Sequence, residues 1–176
     1  MKIRTAVGVA LIALSPLGVV RAQISNPLKF TFFGGPALPI GDLDDQVKPG
    51  FTVGGAVDLR VPLSPVGFRG EIVYSAFNAD TPSGSGVNRD VNDFGANANV
   101  VAWLTLPTAG VIRPYFTAGP SYAQLTDTDN HWGFNAGLGV QSALGLIGTR
   151  FDVRYRRIST SGSAYQIVPI TFGITF

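Results

Sequence analysis

The stretch RFDVRYR at residues 150–156 alternates without a slip. Arg150, Asp152, Arg154 and Arg156 occupy one parity, and Phe151, Val153 and Tyr155 the other. Successive side chains leave a β-strand on opposite sides, so period two makes this a strand with one charged face and one apolar face. The same rhythm recurs along the chain. Around residue 55, Phe51, Val53, Val57, Leu59 and Val61 share a face, against Thr52, Gly54, Ala56, Asp58 and Arg60. Further on, Phe94, Ala96, Ala98, Val100 and Ala102 alternate with Asn97, Asn99, Val101 and Trp103. Trp132, Phe134, Ala136, Leu138 and Val140 likewise alternate with Gly133, Asn135, Gly137, Gly139 and Gln141.

Eight such segments are predicted, over 28–37, 51–62, 68–78, 93–106, 113–125, 131–144, 149–158 and 165–176. Strands of about ten residues separated by turn signals are the pattern of a closed membrane barrel. An even number of antiparallel strands returns both termini to one side. The connections alternate in character. LSPVG (63–67), PTAGVI (107–112) and GLIG (145–148) are short and apolar or Gly/Pro-rich. LPIGDLDDQVKPG (38–50) and ADTPSGSGVNRDV (79–91) are long and polar, and TDTDN (126–130) and STSGSA (159–164) are polar and modest in length. Short turns at the end carrying the termini and longer loops at the other match the periplasmic and extracellular sides of an outer-membrane barrel.

Parity leaves open which face points inward, because a soluble lipocalin-like barrel would bury the apolar one. Composition decides. The polar face is mostly Gly, Ala, Ser and Asn, which fit a narrow lumen, whereas solvent-facing strands carry longer polar side chains. Large aromatics recur near strand ends at Phe51, Phe68, Tyr74, Phe94, Tyr122, Trp132, Tyr155, Tyr165 and Phe176, as interfacial girdles do. The predicted arrangement is apolar side out and polar side in.

Charged residues make up only 14% of the 176, and mean hydropathy is +0.26. Part of this lies in residues 1–22, where the cationic MKIR precedes an apolar run and Val20 and Ala22 occupy the small-residue positions before a cut. These residues are expected to be a secretory signal peptide cleaved after Ala22. A membrane anchor fits poorly, since the run is short of the ~20 residues a span needs and Pro16 interrupts it. Cleavage would remove Lys2, Arg4 and Arg21, leaving 10 of 13 basic residues against 11 acidic ones. A mature charge near −1 gives no reason to invoke nucleic acid, which wants a clustered basic face. With no Cys, an exported chain cannot rely on disulfides. One domain, 23–176, is expected.

With these residues in view, the chain resembles the small OmpA/OmpX-like outer-membrane barrels, the outer membrane protein beta-barrel domain or porin family. The resemblance rests on the leader, the eight-strand rhythm, RPYFTAGPSY at 113–122 and the last strand. It implies an all-β, eight-stranded antiparallel up-and-down barrel in the cell outer membrane, surrounded by outer-membrane lipid. It also implies a last strand read by the barrel assembly machinery, here Val168, Ile170, Phe172, Ile174 and Phe176. A monomer without cofactor or metal is expected. Pro120 and Pro169 each delete a ladder donor inside a predicted strand, so bulges or shifted boundaries are expected there.

Parity assigns Lys29, Asp58, Arg60, Arg69, Glu71, Arg113, Arg150, Asp152, Arg154 and Arg156 to the lumen. A cation facing lipid near the midplane costs about 2–4 kcal/mol, which enforces the same placement. Asp58, Arg60, Arg69, Glu71, Arg150 and Asp152 lie near the short-turn end and are expected to form an ion-pair network plugging that half. The excess of Arg over acid keeps a narrow anion-leaning pore as the alternative. Asp42, Asp44, Asp45, Asp80, Asp90, Asp93, Asp127 and Asp129, with Lys48 and Arg89, are expected to form a solvated acidic rim at the far end, since no calcium-loop spacing closes on a Glu. A lipid-modifying enzyme is the weakest reading. The single His131 lacks the His-x-Ser arrangement of the deacylases and is expected to be a surface or interfacial residue, leaving no catalytic group.

Overall fold

The structure is a computed structural model that describes residues 27–44, 47–78, 90–104, 112–125, 130–144, 147–160 and 164–176. The expected signal peptide lies outside these residues, as do Asp45, Asp80, Arg89, Asp127 and Asp129 of the predicted rim. The alternating segments form β1 (Leu28–Pro39), β2 (Gly50–Arg60), β3 (Val66–Phe77), β4 (Val91–Trp103), β5 (Ile112–Leu125), β6 (Asn130–Leu144), β7 (Ile147–Ser159) and β8 (Ala164–Thr175). A one-turn 3₁₀ helix, Gly41–Leu43, follows β1.

Each strand pairs antiparallel with its sequence neighbour, and β8 returns to β1, from Thr31 opposite Thr175 to Pro39 opposite Ile167. The sheet therefore has no open edge, the condition for strands to cross a hydrocarbon layer with every backbone group paired.

The prolines do not produce the expected bulges. Pro120 sits opposite Phe134 in an unbroken β5–β6 register, and only the pairing toward β4 lapses, resuming in the same register on both sides. Pro169 itself pairs with Ala37 of β1 and lacks a partner only on the β7 side, where the register also resumes unchanged. Each ring removes one N–H and spoils one ladder, while the other holds the strand in step.

The outward face is apolar. Phe32 is 69% exposed, and Phe30, Phe68, Ile72, Phe94, Phe116, Leu138 and Phe172 share its surroundings. A soluble chain would not leave so continuous an apolar surface in water. The last strand turns Phe172, Ile174 and Phe176 fully outward and leaves Val168 and Ile170 half-exposed on the same face. Inward, Thr171, Gly173 and Thr175 are buried.

Aromatic pairs decorate the outside toward the long-loop end, with Tyr122 and Trp132 edge to face at 5.3 Å and Phe51 and Tyr74 at 6.4 Å. Tyr165 is the exception to the predicted girdle. Its parity is that of Ile167 and Thr171, so it is buried in the lumen, with its ring edge-on to Phe77 at 6.2 Å.

Candidate functional site

The buried side chains of the lumen fall into zones of different chemistry. Toward the short-turn end, Arg69 of β3 donates to Asp58 of β2 through Nε at 2.5 Å and Nη2 at 3.3 Å. Its Nη1 lies 3.8 Å from Asp152 of β7. Arg150 reaches Asp152 at 2.8 Å and Glu71 at 3.5 Å. Arg154 closes the circuit with a two-pronged pair to Glu71 and a 3.3 Å contact to Asp152.

Three guanidinium groups thus meet three carboxylates, and none of the six residues is more than 7% exposed. Charges so buried are tolerated only when paired and hydrogen-bonded, because loss of hydration is otherwise uncompensated. The remaining capacity of Glu71 is filled by the amides of Asn97 and Asn99, each donating to Oε2 at 3.2 Å. Asn135 then links Asn99 and Ser121, at 2.8 and 3.0 Å. Rings orient the guanidinium groups, Tyr115 beneath Arg69 and Phe33 beneath Arg150, each 4.7 Å from the ring centre.

The small residues of the polar face make these crossings possible. A Cβ on Gly139 would lie 2.5 Å from the Tyr115 hydroxyl oxygen, and one on Gly95 would collide with Arg156 Nη2. Where Tyr115 and Arg156 reach inward, another strand presents a glycine.

Further toward the long-loop end Arg156 pairs with Asp93 of β4 and donates to the Tyr122 carbonyl at 3.3 Å. Asp93 was expected in the solvated rim and is instead fully buried. Its parity with Asn97 and Asn99 carried that information, since one face runs unbroken down the strand. Between this pair and the main network a void of about 20 Å³, lined by Thr52, Ser75, Asn97, Arg154, Arg156 and apolar neighbours, has room for about one water.

Above Arg156 the filling turns apolar. Phe77, Ile158, Tyr165, Ile167, Ala37, Ala123 and Leu125 pack together, and Leu43 and Val47 fold in from the first long connection to cap them. The predicted polar face therefore does not run the full length of the barrel. His131 sits at this end, half-buried on the inward parity opposite Ala123. Among the described residues no three His, Cys, Asp or Glu side chains converge as a metal site.

Besides Arg156, which pairs separately with Asp93, three of the predicted lumen residues stay out of the network. Among the described residues Arg60 has no ion-pair partner: its Nη2 donates to Gln141 Oε1 at 2.7 Å and its guanidinium stacks on Trp103 at 5.0 Å. Lys29 is half-buried across from Asp58 in the β1–β2 register. Arg113 has inward parity but stands exposed at the short-turn mouth, because β5 begins only one residue before it. Parity names the face of a side chain, and depth along the barrel decides its solvation.

A closed antiparallel barrel with an apolar exterior and a charged, filled interior defines an integral membrane barrel. The chain belongs to the outer membrane protein beta-barrel domain family, whose model matches residues 15–176. Its fold is similar to that of Neisserial surface protein A, with a TM-score of 0.65 at 15% identity, over 85% of this chain and 96% of that one. A major outer membrane protein from Thermus thermophilus has a TM-score of 0.53 at 13% identity, over 85% of this chain and 98% of that one. The outer membrane protein Ail of Yersinia pestis has 0.52 at 12% identity, over 84% and 99%. At these identities the likeness is one of fold. No curated protein sequence matches the chain.

Proposed function

We propose that the protein is a closed, monomeric outer-membrane barrel with a structural or surface-interaction role, delivered by a cleaved signal peptide and inserted by the barrel assembly machinery through its last strand. The charge-balanced network of Asp58, Arg69, Glu71, Arg150, Asp152 and Arg154 carries this reading. A conducting path would have to break ion pairs that are sealed from water at the long-loop end by the apolar plug of Phe77 and Tyr165. The excess of arginine that suggested an anion path is absent inside the network, where three cations meet three anions.

The protein then meets its surroundings through its outer face and its loops. Purified protein in a planar bilayer is expected to give no discrete conductance steps. Steps that disappear on replacing Arg154 and Arg156 would establish a pore instead. Membrane insertion itself is checked by fractionation and by a gel-mobility shift on boiling. Protein that is soluble without detergent and unshifted would overturn the reading, and lipid A of unchanged mass in expressing cells is expected on the same basis.

A further inference from the structure

Charge is sorted along the barrel. The deep cations Arg69, Arg150, Arg154 and Arg156 are all matched by Asp58, Glu71, Asp152 and Asp93. Lys29, Arg60 and Arg113, which make no ion pair among the described residues, all belong to the short-turn end, where the nearest acid, Asp58, is already held by Arg69. The described residues of that end, 27–31, 59–68, 100–104, 112–114, 140–144, 147–149 and 170–176, contain no Asp or Glu, the nearest being Asp58. Among the described residues this mouth therefore carries more cations than carboxylate side chains.

The geometry at this mouth is specific. Arg60 leaves the end of β2 and is held by Trp103 of β4 and by Gln141 of β6, four strands away around an eight-stranded barrel. Its side chain therefore spans the opening. Gln141 stands in register with Arg113 on one side and Arg150 on the other. Arg113, exposed, opposes the charge of Arg60, and Arg60 Nε is buried with no hydrogen-bond partner. The Arg60 guanidinium is thus held on an amide that stands in register with a second, exposed arginine, and it keeps an unused donor. Guanidinium groups match the tetrahedral oxygens of phosphate through paired N–H donors.

We propose that the short-turn mouth binds a phosphate-type oxyanion between Arg60 and Arg113, with Lys29 adding charge nearby. The oxyanion comes either from a soluble phosphate compound or from the headgroup of a phospholipid in the adjoining leaflet.

The chain has two tryptophans, Trp103 and Trp132, so a Trp132→Phe background makes the ring under Arg60 the sole tryptophan reporter. The full protein is folded in maltoside micelles, which carry no phosphate. Pyrophosphate is titrated against chloride at equal ionic strength in one arm, and short-chain phosphatidylglycerol is added in the other. A saturable change in Trp103 emission is expected, with its midpoint weakened about tenfold or more by Arg113→Gln and unaltered by Arg157→Gln, which removes an exposed cation at the opposite end. Tenfold corresponds to about 1.4 kcal/mol. Saturation by pyrophosphate assigns the site to soluble anions, and saturation by the lipid alone assigns it to a headgroup. No saturable change in either arm, or one that Arg113→Gln leaves intact while the protein keeps its heat-modifiable mobility, overturns the proposal.

Discussion

The two ends of the lumen solve the same packing problem with opposite chemistry. Toward the short turns the space is crossed by Arg69, Arg150 and Arg154 against Asp58, Glu71 and Asp152, with Tyr115 and Phe33 under the guanidinium groups. Toward the long loops it is filled by Phe77, Tyr165, Ile158 and Ile167, capped by Leu43 and Val47. Removing one atom group from the first zone leaves a buried charge without a partner, whereas in the second it leaves only a cavity. The charged end is therefore the less forgiving of the two, and the apolar end the better seal.

The largest expected effect comes from Glu71→Ala, which strips Arg154 of its two-pronged partner and Arg150 of one contact. A loss of about 3–5 kcal/mol is expected in urea unfolding from lipid vesicles. The double variant with Arg154→Ala should lose clearly less than the sum of the two singles, and additivity would show that the pair is uncoupled.

Phe77→Ala in the apolar plug is expected to cost about 3 kcal/mol, at the lower end for a buried aromatic because cap residues can settle into the space. If it outweighs Glu71→Ala in the same assay, the ranking of the two ends is reversed. Gly95→Ala tests the room left for arginine, since its Cβ would meet Arg156 Nη2 and the Tyr122 carbonyl. About 1–3 kcal/mol is expected from the forced shift. Smallest is Thr52→Val, which leaves Ser75 without its 2.8 Å hydroxyl partner and should cost roughly 1 kcal/mol.

Much of this arrangement was legible in period two. The seventh strand shows why: once Phe151 faces lipid, Arg150, Asp152, Arg154 and Arg156 have no other direction, and the observed β7 obeys. Asp93 and Tyr165 depart from the expected rim and girdle because both lie within strands, where their parity points inward. The continuous register through Pro120 was hidden for another reason. A proline announces a missing donor, and only the arrangement of neighbouring strands reveals that the other ladder is intact.

The sequence by itself determined the alternation, and with it the eight strands, the apolar exterior and the set of side chains that must enter the lumen. Those properties depend on neighbours two residues apart, which a strand's geometry translates directly into faces. Only the tertiary structure decided which charges meet, because partners such as Glu71 and Arg154 stand 83 residues apart and are brought together by closure of the barrel. Closure also decided depth: it buried Asp93, left Arg113 at the mouth, and drew Leu43 and Val47 into an apolar cap over a charged interior.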